Sequence, residues 1–198
     1  MRKKIVLGIV ILAAIVGAVY FNKNYAIVED KYGTKLIVSI DVTEISDENH
    51  DEFSETVKCT PSLRKLTKLE KLWLTADEDM DLKYLSEMKN MNELTIFYHD
   101  GYCGRLETLP DLPNVKQLEL LGSSNESWNT FALDESEYYL SNIDTLVLQL
   151  FDIVDFESLK HFENLHTLKI LHVRDDAKED LIKQSEELQE KGIDVEIW

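Results

Sequence analysis

From Leu63 to Ile170 an apolar residue recurs at every third position, and each run closes on an apolar-x-apolar triplet. The first copy is Leu63, Leu66, Leu69, Leu72, Leu74, and the second is Leu82, Leu85, Met88, Met91, Leu94, Ile96. Leu106, Leu109, Leu112, Val115, Leu118 and Leu120 form the third, and Leu140, Ile143, Leu146 and Leu148 the fourth. The fifth is Phe156, Leu159, Phe162, Leu165, Leu168, Ile170. Between the equivalent positions Leu72, Leu94, Leu118, Leu146 and Leu168 the steps are 22, 24, 28 and 22 residues. A period of two over the triplet is a short strand with one face buried, and a period of three before it is a tight 3₁₀ or helical segment. Neither can bury its apolar side alone, so the copies must stack. One long amphipathic helix is excluded, because period three drifts off a 3.6-residue face and Pro61, Pro110 and Pro113 interrupt it.

Over about residues 60–173 this pattern resembles the leucine-rich-repeat family, in particular the 22-residue class of bacterial internalin-like proteins. The resemblance implies an α/β fold: a solenoid with a parallel sheet on its concave face, capped at both ends. It also implies a non-catalytic module that binds another protein. The chain departs from the family in one place. The positions three residues after each triplet, where many members carry Asn, hold Asp77, His99, Ser123, Phe151 and Val173. No Asn ladder is expected there, and apolar packing of Phe151 and Val173 is expected to hold the last two turns.

A stacked array needs covered ends. Leu36 to Val42 reads as a first strand, and the acidic stretch from Asp47 to Lys58, with Phe53 and Val57 at helical spacing, follows it. At the other end Asp175 opens a helix to about Lys191, with Leu181, Ile182, Ser185 and Leu188 on one face, and Gly192 stops it. Ile193 to Trp198 then alternates as a closing edge strand, an edge open to self-association. The domain so defined is 36–198, with an N-terminal cap (36–60), five repeats (61–173) and a C-terminal cap (174–198).

Ahead of it, Arg2, Lys3 and Lys4 precede the uncharged run Ile5 to Phe21, whose 17 residues lie at the short end of what spans a bilayer. The basic cluster places the following residues outside the cytoplasm, so 1–22 is read as an N-terminal hydrophobic helix, a membrane anchor or signal segment, and 23–35 as a short stalk. This puts the protein at the cell membrane, single-pass, with its C-terminal domain extracytoplasmic. Val16-Gly17-Ala18 offers a cleavage point, so secretion after cleavage is the alternative. With 38 acidic against 21 basic residues, a net charge of −17, the chain repels nucleic acid, which is not expected as a partner.

The residues alternate to the triplets define the candidate partner-binding face. One column is Trp73, Thr95, Glu119, Val147, Lys169 and Glu196, and the other is Thr75, Phe97, Leu121, Gln149, Leu171 and Trp198. Trp73, Phe97, Leu121 and Leu171 are the expected anchors, since aromatic and aliphatic groups on an open sheet have no core to serve. Gly122 to Tyr139 lengthens the fourth step and carries Trp128, Phe131, Tyr138 and Tyr139, which either pack back or bind.

No phosphate loop, Gly-x-Ser-x-Gly elbow or His-Glu-x-x-His motif occurs, so no enzyme and no cofactor are expected. His161, His166 and His172 do not have ligand spacing, and the acidic clusters lack the calcium-loop pattern, so no metal is expected. Cys59 and Cys103 fall at similar places two repeats apart, roughly 10 Å at about 4.8 Å per strand. That exceeds the limit of about 7 Å for a bridge, and two free buried thiols are expected. Two further functional readings stand beside the interaction module: an immunity-type accessory protein neutralising a basic partner through its negative field, and a structural envelope spacer.

Overall fold

In a 3₁₀ turn the side chains at i and i+3 eclipse one another, and the period-three runs adopt this geometry. Leu66 N–H donates to Leu63 O at 2.9 Å and Leu69 N–H to Leu66 O at 3.1 Å, with matching bonds from Met88 to Leu85, Val115 to Leu112, Ile143 to Leu140 and Leu165 to Phe162. Regular 3₁₀ turns span Pro61–Lys65, Leu82–Glu87 and Phe156–His161. The computed structural model describes residues 15–30, 32–46, 57–76, 82–98, 112–122, 129–133 and 140–198. Leu106 and Leu109 of the third copy, the helix expected over 47–56, and Trp128, Tyr138 and Tyr139 lie outside the described residues.

Each triplet is a strand. Lys71–Ala76 (β5), Glu93–Tyr98 (β6), Gln117–Leu121 (β7), Thr145–Gln149 (β9) and Thr167–Leu171 (β11) belong to one eight-stranded sheet. Glu44–Ile45 (β3) and Val57–Lys58 (β4) pair with β5 at one end, and Asp194–Ile197 (β12) closes the other. Every pair in this sheet is parallel and neighbours follow chain order. The register aligns Leu72, Leu94, Leu118, Leu146 and Leu168 in one row and Leu74, Ile96, Leu120, Leu148 and Ile170 in the next. All ten are buried, and with the 3₁₀ leucines they form one continuous core. Removal from water stabilises each such side chain by roughly 1.5–3 kcal/mol.

Short polar groups tie the copies together. Asn90 Nδ2 donates to Thr67 O at 2.6 Å, Asn114 Nδ2 to Lys89 O at 2.7 Å and Asn164 Nδ2 to Ser141 O at 2.5 Å. Asn side chains therefore do link copies, but in the turn entering the strand, four residues before the triplets that start at Leu94, Leu118 and Leu168. An amide at that place reaches one strand spacing back to a carbonyl of the preceding copy. On the leaving side, Phe151 is fully buried and Val173 packs against the core, as the sequence indicated for the last two turns. Asp77, His99 and Ser123 lie outside the described residues.

The chain leaves β9 and β11 through left-handed residues at equivalent places, Leu150 (φ 63°) and His172 (φ 56°). The matching residue after β7 is Gly122, where a Cβ would approach Asn129 to 3.0 Å and the Leu150 carbonyl to 3.1 Å, so a side chain there would push its neighbours aside.

The long fourth step is partly legible. Its Thr130–Phe131 (β8) pairs in parallel with Ile153–Val154 (β10), and Phe131 packs edge-on against Phe151 at 6.2 Å and 86°. Phe131 thus packs back into the core.

Three expectations for the N-terminal region are corrected. The segment read as a stalk carries Tyr25–Glu29 (β1), which pairs antiparallel with Lys35–Ser39 (β2) in a separate two-stranded sheet. Ala26 and Val28 are buried, and Asp30 Oδ1 accepts from Tyr32 and Thr34 N–H in the turn, with Gly33 at φ 82°. Apolar alternation in β1 and a stable turn outweigh the polar composition around them. For the same reason Leu36–Val42 is not the first strand of the large sheet, a place taken by β3. Val57 lies in strand β4 and not on a helix.

At the C-terminus the helix Asp175–Glu190 buries Ala177, Leu181, Ser185 and Leu188, and Gly192 ends it at φ 90°. Ile182 is 45% exposed, a correction, because its place on the 3.6-residue wheel turns it toward the rim of the buried stripe. Residues 15–24 are helical and Ile15, Val16, Val19 and Tyr20 are exposed. Among the described residues no helix is long and apolar enough to cross a membrane. Residues 1–14, and with them most of the expected anchor, lie outside the described residues.

Candidate functional site

Because strand side chains alternate, fixing the leucine rows in the core puts the intervening residues on the opposite face. The register makes three columns across it. Glu44, Lys71, Glu93, Gln117, Thr145, Thr167 and Asp194 form the first. The second is Trp73, Thr95, Glu119, Val147, Lys169 and Glu196. Thr75, Phe97, Leu121, Gln149 and Leu171 form the third. Trp198 follows β12 in the third column and its N–H donates to Ile170 O at 3.1 Å.

All ten residues expected to bind a partner therefore share one face. Their accessibility is uneven. Trp73, Phe97, Glu119, Leu121, Gln149, Lys169 and Leu171 are half-buried, whereas Thr75, Thr95 and Val147 are buried. The three buried ones are short side chains standing between longer neighbours: Thr75 between Lys58 and Phe97, Thr95 between Trp73 and Glu119, Val147 between Glu119 and Lys169. At about 4.8 Å between strands the neighbours cover them.

The columns differ in chemistry. The third presents Phe97, Leu121 and Leu171 and reaches Trp198, which is 63% exposed. Gln149 interrupts it but turns its amide to Glu119, donating to Oε1. The first two are polar. Lys71 Nζ lies 2.9 Å from Glu93 Oε2, and Lys169 Nζ lies 3.0 Å from Glu196 Oε1. Thr95 Oγ1 donates to Glu119 Oε2 at 3.1 Å, and Ser46 Oγ donates to Glu44 Oε1 at 2.8 Å.

The four expected anchors do not form one patch. Phe97, Leu121 and Leu171 lie in the apolar column, while Trp73 belongs to the polar side. There it borders a depression of about 150 Å³ between β3 and β7, lined also by Glu44, Ser46, Lys71, Glu93, Thr95, Gln117 and Glu119. The sequence reasoning missed Glu44, Ser46, Lys71, Glu93 and Gln117. Lys71, Glu93 and Gln117 stand one residue before a triplet, and that offset was the available signal for their face. Glu44 and Ser46 lie on and beside a two-residue strand that carries no repeat pattern.

The remaining candidates are dispersed. His161 is half-buried, His166 is exposed with Nδ1 2.7 Å from Asp144 Oδ1, and His172 is exposed. Among the described residues no three His, Cys, Asp or Glu side chains converge as metal ligands. Cys59 is half-buried against the core, and Cys103 lies outside the described residues.

Compared with protein-family models the chain matches none, and no curated protein matches it. Its class rests on what the coordinates hold: an α/β protein with an eight-stranded parallel sheet, few helices, and one sheet face turned away from the core.

Proposed function

We propose that this chain is a leucine-rich-repeat solenoid of the 22-residue class, non-catalytic, that binds a protein partner through the concave face of its sheet. The observation carrying this reading is the apolar column of Phe97, Leu121 and Leu171 running to Trp198 on the side of the sheet opposite the leucine core of the described residues. Large apolar groups in such a place cost solubility, and interfaces draw their anchors from them. The aligned leucine rows and the entering-turn Asn bonds support the repeat reading.

The module is held outside the cytoplasm by the uncharged run 5–21. The helical stretch 15–24 supports this, since Ile15, Val16, Val19 and Tyr20 turn to the surroundings and not to the domain. A second reading, a protein that neutralises a basic partner, is favoured by the net charge of −17.

The test is affinity capture from detergent-solubilised envelope with the full chain as bait, beside a bait carrying Trp73→Ala, Phe97→Ala and Leu171→Ala. A partner held by the first and reduced at least tenfold on the equally folded second is the expected result. Capture that survives the triple variant and disappears at high salt favours the neutralising reading. Capture by neither bait favours a spacer.

A further inference from the structure

The depression beside Trp73 has an excess of negative charge. Three carboxylates border it, Glu44, Glu93 and Glu119, and one ammonium, Lys71. Lys71 is 2.9 Å from Glu93. Glu44 and Glu119 accept hydrogen bonds from neutral groups, the Ser46 hydroxyl on one and the Thr95 hydroxyl and Gln149 amide on the other. Among the described residues no ion pair joins either to a cation. A neutral donor does not cancel a carboxylate's field as a neighbouring cation would.

An indole forms one border of the depression, and indole faces attract cations, with guanidinium the commonest partner. The volume of about 150 Å³ accommodates the head of a single long side chain and no folded element. The apolar third column runs alongside, two residues further along each strand.

Resting on the binding reading above, we infer that the protein partner inserts an arginine side chain between Trp73 and Glu119 while neighbouring apolar residues of the partner lie on Phe97 and Leu121. The guanidinium supplies a planar fork for the carboxylate and a cationic face for the indole. The net charge of −17 steers such a partner in, and the depression fixes where its arginine stops. The sheet face thereby selects a basic and apolar surface over a purely apolar one.

The experiment is fluorescence anisotropy of a labelled hexapeptide alternating leucine and arginine, titrated with the full chain in detergent micelles. A second peptide carries citrulline, the neutral isostere, in place of arginine. The arginine peptide is expected to bind at least tenfold more tightly. Glu119→Gln and Trp73→Leu should each reduce that ratio to about threefold or less, and Glu190→Gln on the C-terminal helix should leave it intact. Equal affinities, no saturable binding of either peptide, or a ratio unchanged in Glu119→Gln and Trp73→Leu would overturn the assignment. In the last case the attraction is to net charge alone. An envelope partner lost by the triple variant but held normally by Glu119→Gln would sink the arginine site and leave the face reading standing.

Discussion

Phe151→Ala is expected to destabilise the protein by about 3–5 kcal/mol, the range for deleting a buried aromatic ring. Phe151 is fully buried, lies two residues after the strand Thr145–Gln149, and meets the equally buried Phe131 edge-on at 6.2 Å. The neighbourhood cannot collapse into the space easily. On one side stands the backbone turn of Leu150, fixed in a left-handed conformation and bonded from its N–H to Leu171 O at 3.0 Å. On the other, Phe131 is held by the pairing of Thr130–Phe131 with Ile153–Val154. Deleting the ring leaves a cavity and removes an aromatic contact worth about 0.5–1.5 kcal/mol beyond burial. A urea titration followed by far-ultraviolet circular dichroism measures it. A loss under about 1 kcal/mol would mean that Phe151 does not close the turn after its repeat.

The two faces of one strand are expected to respond unequally to truncation. Leu94→Ala should cost about 2–5 kcal/mol, because Leu94 is buried in the row from Leu72 to Leu168 and touches core on both sides. Phe97→Ala, three residues along the same strand, removes a larger side chain yet should cost about 1 kcal/mol or less, because the ring is half-buried on the face away from the core. The pair of urea midpoints decides between a binding face and a second core. Equal losses would place Phe97 in a packed interior and remove it from any interface.

Much of this was readable before any coordinates, and the reason lies in periodicity. Leu63, Leu66 and Leu69 announce the 3₁₀ turns, and triplets such as Leu72-x-Leu74 announce strands, because side-chain direction is set by local geometry alone. The closing helix and its stop at Gly192 were equally local. What was not legible depended on pairing with a second segment of the chain. Tyr25–Glu29 is too short to declare itself, and it becomes a strand only against Lys35–Ser39. Asn90, Asn114 and Asn164 recur visibly, but their bonds run to carbonyls 23 to 25 residues earlier, so their role appears only when the copies are laid side by side. The columns holding Trp73 and Phe97 were correctly drawn from alternation. The same alternation separates Trp73 from the apolar column; what it does not show is the polar border that Glu44 and Ser46 add, at a strand that no repeat marks.

The central claim is that the sheet face touches the partner, and site-specific photocrosslinking in the captured complex tests it most directly. A crosslinking amino acid at Leu121, in the middle of the apolar column, should form a covalent adduct with the captured protein. The same residue at Ile182, exposed on the C-terminal helix, should form none. An adduct from Ile182 with none from Leu121 would contradict the account and move the binding surface to the cap.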